Sequence, residues 1–212
     1  MKELFLFSGL GADKSVFEFL DLKDFKKTNI EWTEPKENES VADYARRLLP
    51  QIQAKRPILI GVSFGGIMAI EIGKLIETEK IILISSVNNK ADIPRSYKVA
   101  AFLQLNRLIP AWALTKPNRV LFWLFGTETD QERKLLSEII ERTDPGFINW
   151  GISSIVTWKN EIKPTNVIHI HGTKDRIFPI KKADFTIKDG GHFMIVNRSA
   201  AISLIIKNVL RC

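Results

Sequence analysis

Short, largely apolar runs punctuate this chain, separated by stretches that are apolar only every third or fourth residue. Glu3 to Ser8 is the first such run. It ends at Gly9 and Gly11 and predicts a buried strand followed by a loop. Asp13 is placed to cap a short helix through Phe19, and Asn29 to Thr33 predicts a second strand. Ser40 precedes Val41, Tyr44, Ala45, Leu48 and Leu49, a cap followed by one helical face. After Pro57, Ile58 to Val62 predicts a third strand and Gly65 to Ile76 an apolar helix. Lys80 to Ser85, Val167 to His171 and Phe185 to Ile187 predict strands four to six, and Ala200 to Leu210 a closing helix.

Strands that are apolar throughout, alternating with helices, predict an α/β protein. Its sheet has about six mostly parallel strands, helices on both faces and right-handed crossovers. One stretch breaks the rhythm. Between about Val87 and Glu161 no strand is apparent, whereas Ser96 to Leu108, Val120 to Phe125 and Gln131 to Glu141 read as helical. Phe147, Trp150, Ile155 and Trp158 then recur near helical period. The expected organisation is one core domain, residues 1–86 and 162–212, carrying a helical insertion at 87–161.

Composition adds exclusions. The chain of 212 residues suits a single core, and nothing in it repeats or is of low complexity. The apolar stretch at the N-terminus is too short for a signal-peptide core, and no segment approaches the ~20 apolar residues of a membrane span. With Cys212 as the only cysteine, no internal disulfide can form, which fits a cytoplasmic location. The net charge of +7 raises nucleic-acid binding, but the basic residues are dispersed among acids and no nucleic-acid motif accompanies them. The expectation is no nucleic-acid partner, no cofactor and no metal.

Chemistry concentrates in three places. Gly61-Val62-Ser63-Phe64-Gly65-Gly66 is a Gly-x-Ser-x-Gly string placed after a buried strand and before a helix. In that context a sharp turn projects the serine hydroxyl above the sheet. Glycines on either side remove side chains that would collide, and the helix N-terminus offers N–H groups to an oxyanion. A serine hydroxyl needs a base, and the base needs a third group to fix its tautomer. Of the three histidines, His169 and His171 sit on the fifth strand and read as satisfied core residues. His192, in Asp189-Gly190-Gly191-His192-Phe193, lies in a glycine loop at a strand's carboxyl end, the edge where open α/β sheets gather their chemistry. The acid expected with it is Asp175, directly after the fifth strand. Asp189 reads as a turn residue, and the loop after the fourth strand begins without a carboxylate.

With these strings in order, His171-Gly172-x-x-Asp175-x-x-x-Pro179 included, the chain resembles the α/β-hydrolase family over nearly its whole length. The resemblance implies a serine hydrolase whose nucleophile, acid and base are Ser63, Asp175 and His192. It implies that 87–161 is a lid, and that a first strand pair common in larger members is absent. It implies an oxyanion hole made by the backbone N–H groups of Phe64 and Leu10, although Ser8-Gly9 stands where many members carry His-Gly. Dehalogenases and epoxide hydrolases of this fold use aspartate at the elbow. Serine implies acyl transfer from an ester or thioester.

The insertion is rich in aromatic residues, Trp112, Trp123 and Trp150 among them. These read either as packing or as the wall of an apolar acyl pocket. From Asn88 to Phe125 six basic residues (Lys90, Arg95, Lys98, Arg107, Lys116, Arg119) face the single acid Asp92. That bias is either a solvated face or an attraction for an anionic acyl carrier. A small-molecule acyl substrate is the expected partner. Two readings compete with hydrolysis: a ligand receptor that keeps the triad without turnover, and an interaction module using the basic face.

Overall fold

The computed structural model describes residues 2–97, 116–162, 164–179 and 182–211. Among them six strands, β1 (Glu3–Phe7), β2 (Lys26–Asn29), β3 (Ile58–Val62), β4 (Lys80–Ile84), β5 (Val167–Gly172) and β6 (Phe185–Ile187), form one sheet in the order β2-β1-β3-β4-β5-β6. Every pairing is parallel. Period-two alternation divides each central strand between two cores. Phe5, Phe7, Leu59, Ile81 and Leu83 face one side, under α1 (Val41–Leu48) and α2 (Phe64–Gly73). Leu4, Leu6, Ile58, Ile60, Ile82 and Ile84 face the other, under Ile202, Ile206 and Leu210 of the closing helix (Ser199–Arg211). Because both faces are covered, runs such as Ile58-Leu59-Ile60 are apolar without alternation, the pattern of a buried parallel sheet.

The capping residues act as their chemistry dictates. Asp13 accepts a hydrogen bond from Ser15 N at a 3-10 turn (Lys14–Phe17), shorter than the helix expected there, and Ser40 accepts from Asp43 N at the start of α1. The second strand lies three residues earlier than expected. Lys26 and Lys27 are exposed on this edge strand, so its sequence carries no apolar signature, and the chain leaves the sheet after Ile30 N donates to Leu6 O. Trp32, assigned above to the strand, instead turns its indole onto Tyr44 and Phe64 and donates its Nε1–H to Ser8 Oγ.

Between β4 and β5 the described residues form three helices: α3 (Arg119–Phe125), α4 (Asp130–Glu141) and α5 (Pro145–Thr157). Asn118, Thr129 and Asp144 cap their N-termini through side-chain oxygens. The helix expected over 96–108 falls almost wholly on residues outside the described set, as do Phe102, Lys98, Arg107 and Trp112. A short helix not anticipated from the sequence, α6 (Met194–Asn197), precedes the closing helix, α7 (Ser199–Arg211).

Candidate active site

Ser63 occupies the turn between β3 and α2 with φ 52° and ψ −120°, a backbone conformation that non-glycine residues rarely adopt. Its N–H donates to Ile84 O, and its carbonyl accepts from the Ser86 hydroxyl at 2.6 Å, so β4 holds the turn from both ends. The flanking glycines are a packing requirement. A Cβ on Gly61 would lie 2.3 Å from Gly65 O, and a Cβ on Gly65 would lie 2.2 Å from Phe7 O. Both obstacles are backbone and cannot swing aside.

The three residues singled out in sequence converge. His192 Nε2 is 2.9 Å from Ser63 Oγ, and His192 Nδ1 is 2.9 Å from Asp175 Oδ2. Asp175 follows β5, and its second oxygen, Oδ1, accepts from the N–H groups of Ile177 and Phe178. Burial alone would raise the Asp175 pKa. The neighbouring His192 and His171 and the Phe178 N–H outweigh it and hold the carboxyl below its ordinary value. The His192 ring sits edge-on to Phe125 and Phe178. Asp189 turns away and pairs with Lys174 at 2.8 Å.

Phe64 is the first residue of α2, so its N–H belongs to the unpaired first turn. Leu10 follows Gly9 in the loop after β1, where a Cβ on Gly9 would touch Ser63 Cβ at 3.5 Å. That loop is tied down by three hydrogen bonds. Ser8 Oγ donates to Ala12 O, Ala12 N donates to Gly9 O, and Thr143 Oγ1 donates to Gly11 O. The Leu10 side chain fills a notch at Gly151 of α5, where a Cβ would lie 2.2 Å from Leu10 Cδ1.

A cavity of about 410 Å³ opens beside Ser63 and His192. Its wall is almost entirely apolar, with Leu10, Leu124, Leu136, Ile140, Ile152 and Phe193 among the contributors. Two residues expected to line it lie elsewhere. Trp123 shares the outer face of α3 with Val120, three residues away, and its ring stacks on the Arg176 guanidinium at 4.6 Å. The inner face of α3 instead presents Leu121, Leu124 and Phe125. Trp150 points from α5 toward α1, stacking on Tyr44 at 4.5 Å and donating to Glu39 O. Trp112 lies outside the described residues. Of the basic residues between Asn88 and Phe125, Lys90 pairs with Glu161.

Sequence reasoning left several residues out of the site. His171 Nε2 approaches Asp175 Oδ2 at 3.3 Å. Tyr97 lines the cavity and donates to Ile177 O, and Thr143 lines it from the end of α4. For His171 a signal existed: the period-two spacing of His169 and His171 puts both imidazoles on one face of β5.

A family model described as the alpha/beta hydrolase family matches residues 7–203. Among solved structures, the enol-lactonase from Burkholderia xenovorans LB400 superposes with a TM-score of 0.72 at 16% identity, covering 100% of this chain and 92% of that one. A lipase-esterase related protein from Clostridium acetobutylicum ATCC 824 gives 0.70 at 16%, covering 98% and 94%. A thermophilic esterase from Thermogutta terrifontis gives 0.68 at 15%, covering 100% and 90%. At these identities the likeness is one of fold. No curated protein matches the chain by sequence.

Proposed function

Since this chain belongs to the alpha/beta hydrolase family, we propose that it is a serine hydrolase cleaving carboxylic esters or thioesters through an acyl-enzyme. The observation carrying this reading is the unbroken line of 2.9 Å contacts from Ser63 Oγ through His192 to Asp175. In the reaction, Ser63 Oγ attacks the acyl carbonyl while His192 Nε2 takes its proton. Asp175 fixes the His192 Nδ1–H tautomer and stabilises the imidazolium. The N–H groups of Phe64 and Leu10 receive the oxyanion, and His192 returns the proton to the leaving alcohol or thiol. Water activated by His192 then releases the acid. No cofactor takes part in these steps.

The substrate is a small molecule with an apolar acyl group, since burial stabilises by about 0.8 kcal/mol per CH₂ and the cavity wall offers almost no polar partner. The helices between β4 and β5 act as the lid over that group. Hydrolysis of p-nitrophenyl and thioester substrates of graded chain length tests the reading. Turnover should require Ser63 and rise with chain length until the cavity is full. A receptor would bind such ligands without releasing product, and that result would displace the hydrolase reading.

A further inference from the structure

A row of buried polar groups runs from the loop after β4 to the back of Asp175. Asn88 Nδ2 lies 2.9 Å from His169 Nδ1, His169 Nε2 lies 3.1 Å from His171 Nδ1, and His171 Nε2 lies 2.8 Å from Phe178 O. Asp92 anchors the far end by accepting from Asn88 N, and Asp184 accepts from His169 N. His169 and His171 are 1% and 2% exposed, so water competes with none of these contacts.

The protons in this row can be assigned from its end. The two atoms that His171 Nε2 meets, Phe178 O and Asp175 Oδ2, only accept hydrogen bonds, so Nε2 must carry a proton. In a neutral ring His171 Nδ1 is then an acceptor, which requires a proton on His169 Nε2. His169 Nδ1 must in turn accept from the Asn88 amide. Burial, acting first for each, lowers both imidazoles, joined by the neighbouring His171 at His169, which is pushed down to about 4, and by His192 at His171.

From this geometry we infer that His171 is a positioning residue for the Asp175–His192 pair, held as its Nε2–H tautomer by the Phe178 carbonyl and backed by His169 and Asn88. It acts at two points. It pins the carbonyl of Phe178, whose N–H holds Asp175 Oδ1, and it brings a donor within 3.3 Å of Oδ2, the oxygen that also receives His192. A carboxylate that shares its charge with a second donor is a weaker acceptor for His192. The titratable groups around this carboxylate are His171 on β5, His192 after β6 and Tyr97 before the helical segment. Asp92 acts on both histidines and Asp184 on His169.

The catalytic consequence rests on the hydrolase reading above, whereas the tautomers do not. Nitrogen-15 imidazole NMR of the full chain tests both. In the wild type, His169 and His171 should be neutral Nε2–H tautomers at pH 7. In His171→Leu the resonance of the His192 Nδ1–H proton, which reports its bond to Asp175, should move, with kcat reduced about tenfold for lost orientation. His171→Gln, which keeps a donor near Nε2, should restore most of both. An Nδ1–H tautomer at His171, or an unmoved His192 Nδ1–H resonance in folded His171→Leu, overturns the inference. Should His171→Leu not fold, Asn88→Leu, which removes the donor to His169 Nδ1, must still leave His171 as its Nε2–H tautomer because Phe178 O continues to require that proton, and an Nδ1–H tautomer there counts against the inference. Expected tautomers and a moved His192 Nδ1–H resonance in a protein that hydrolyses nothing uphold His171 and defeat the hydrolase reading alone.

Discussion

Thr143, at the end of α4, donates its hydroxyl to the carbonyl oxygen of Gly11 at 2.7 Å, fixing the loop that carries Leu10 to the helices between β4 and β5. In the proposed reaction the placement of the Leu10 N–H donor is therefore set partly by a segment remote from the sheet. Thr143→Val keeps the shape and removes the bond. The expected cost is about 1 kcal/mol in stability and about tenfold in kcat with KM little changed, because misplacing an oxyanion donor acts on the transition state. Steady-state kinetics beside urea unfolding check both.

The close approach of Gly65 to β1 makes a stronger demand. A Cβ at this position would meet two carbonyl oxygens of β1 and its following loop, at 2.2 Å from Phe7 and 2.4 Å from Ser8. Gly65→Ala should destabilise the protein by about 3 kcal/mol or more, since the obstacle is backbone and overpacking cannot relax by rotamer change. A melting temperature within a degree of wild type would contradict the packing described for the turn.

Asp175→Asn keeps the size of the side chain and removes its charge. It can then support the wrong His192 tautomer, and kcat for ester hydrolysis should fall by about 10⁴-fold with the fold intact. Near-UV circular dichroism and kinetics on the same preparation separate lost chemistry from lost structure.

The buried histidines make stability depend on pH. His169 titrates near 4 in the folded protein against 6.5 when exposed, and His171 is displaced in the same direction, burial being the first cause for each. Between these values the unfolded chain binds protons that the folded one refuses. For His169 this stability is full above about pH 6.5 and is lost as pH falls toward 4, by about 1.4 kcal/mol per unit, and His171 adds a loss of the same sign. Asp175, whose folded pKa is lowered, adds a loss only at more acidic pH, as its carboxylate protonates. Urea unfolding of the wild type and His169→Gln at pH 7, 6, 5 and 4 should give a shallower slope in the variant.

Much of this was legible in the amino-acid sequence, for physical reasons. Ile58 to Val62 and Lys80 to Ile84 are buried on both faces, so unbroken apolarity marks them, and the glycines around Ser63 announce a turn that side chains would obstruct. The edge strand Lys26–Asn29 escaped because exposed lysines carry no apolar pattern. Aromatic content pointed to Trp123 and Trp150 as cavity residues, but the rotation of α3 and α5 decides which side faces inward, and it turns Leu124 and Ile152 there instead. His171 could be placed on a buried strand. Its approach to Asp175 depends on the loop from Lys174 to Phe178 folding back over β5, which no local pattern encodes.

Intact-mass spectrometry after exposure to a fluorophosphonate tests the central claim most directly. One adduct should form, map to the peptide carrying Ser63, vanish in Ser63→Ala and slow markedly in His192→Ala. Failure of the folded wild type to form an adduct, or an equal adduct in Ser63→Ala, would contradict it.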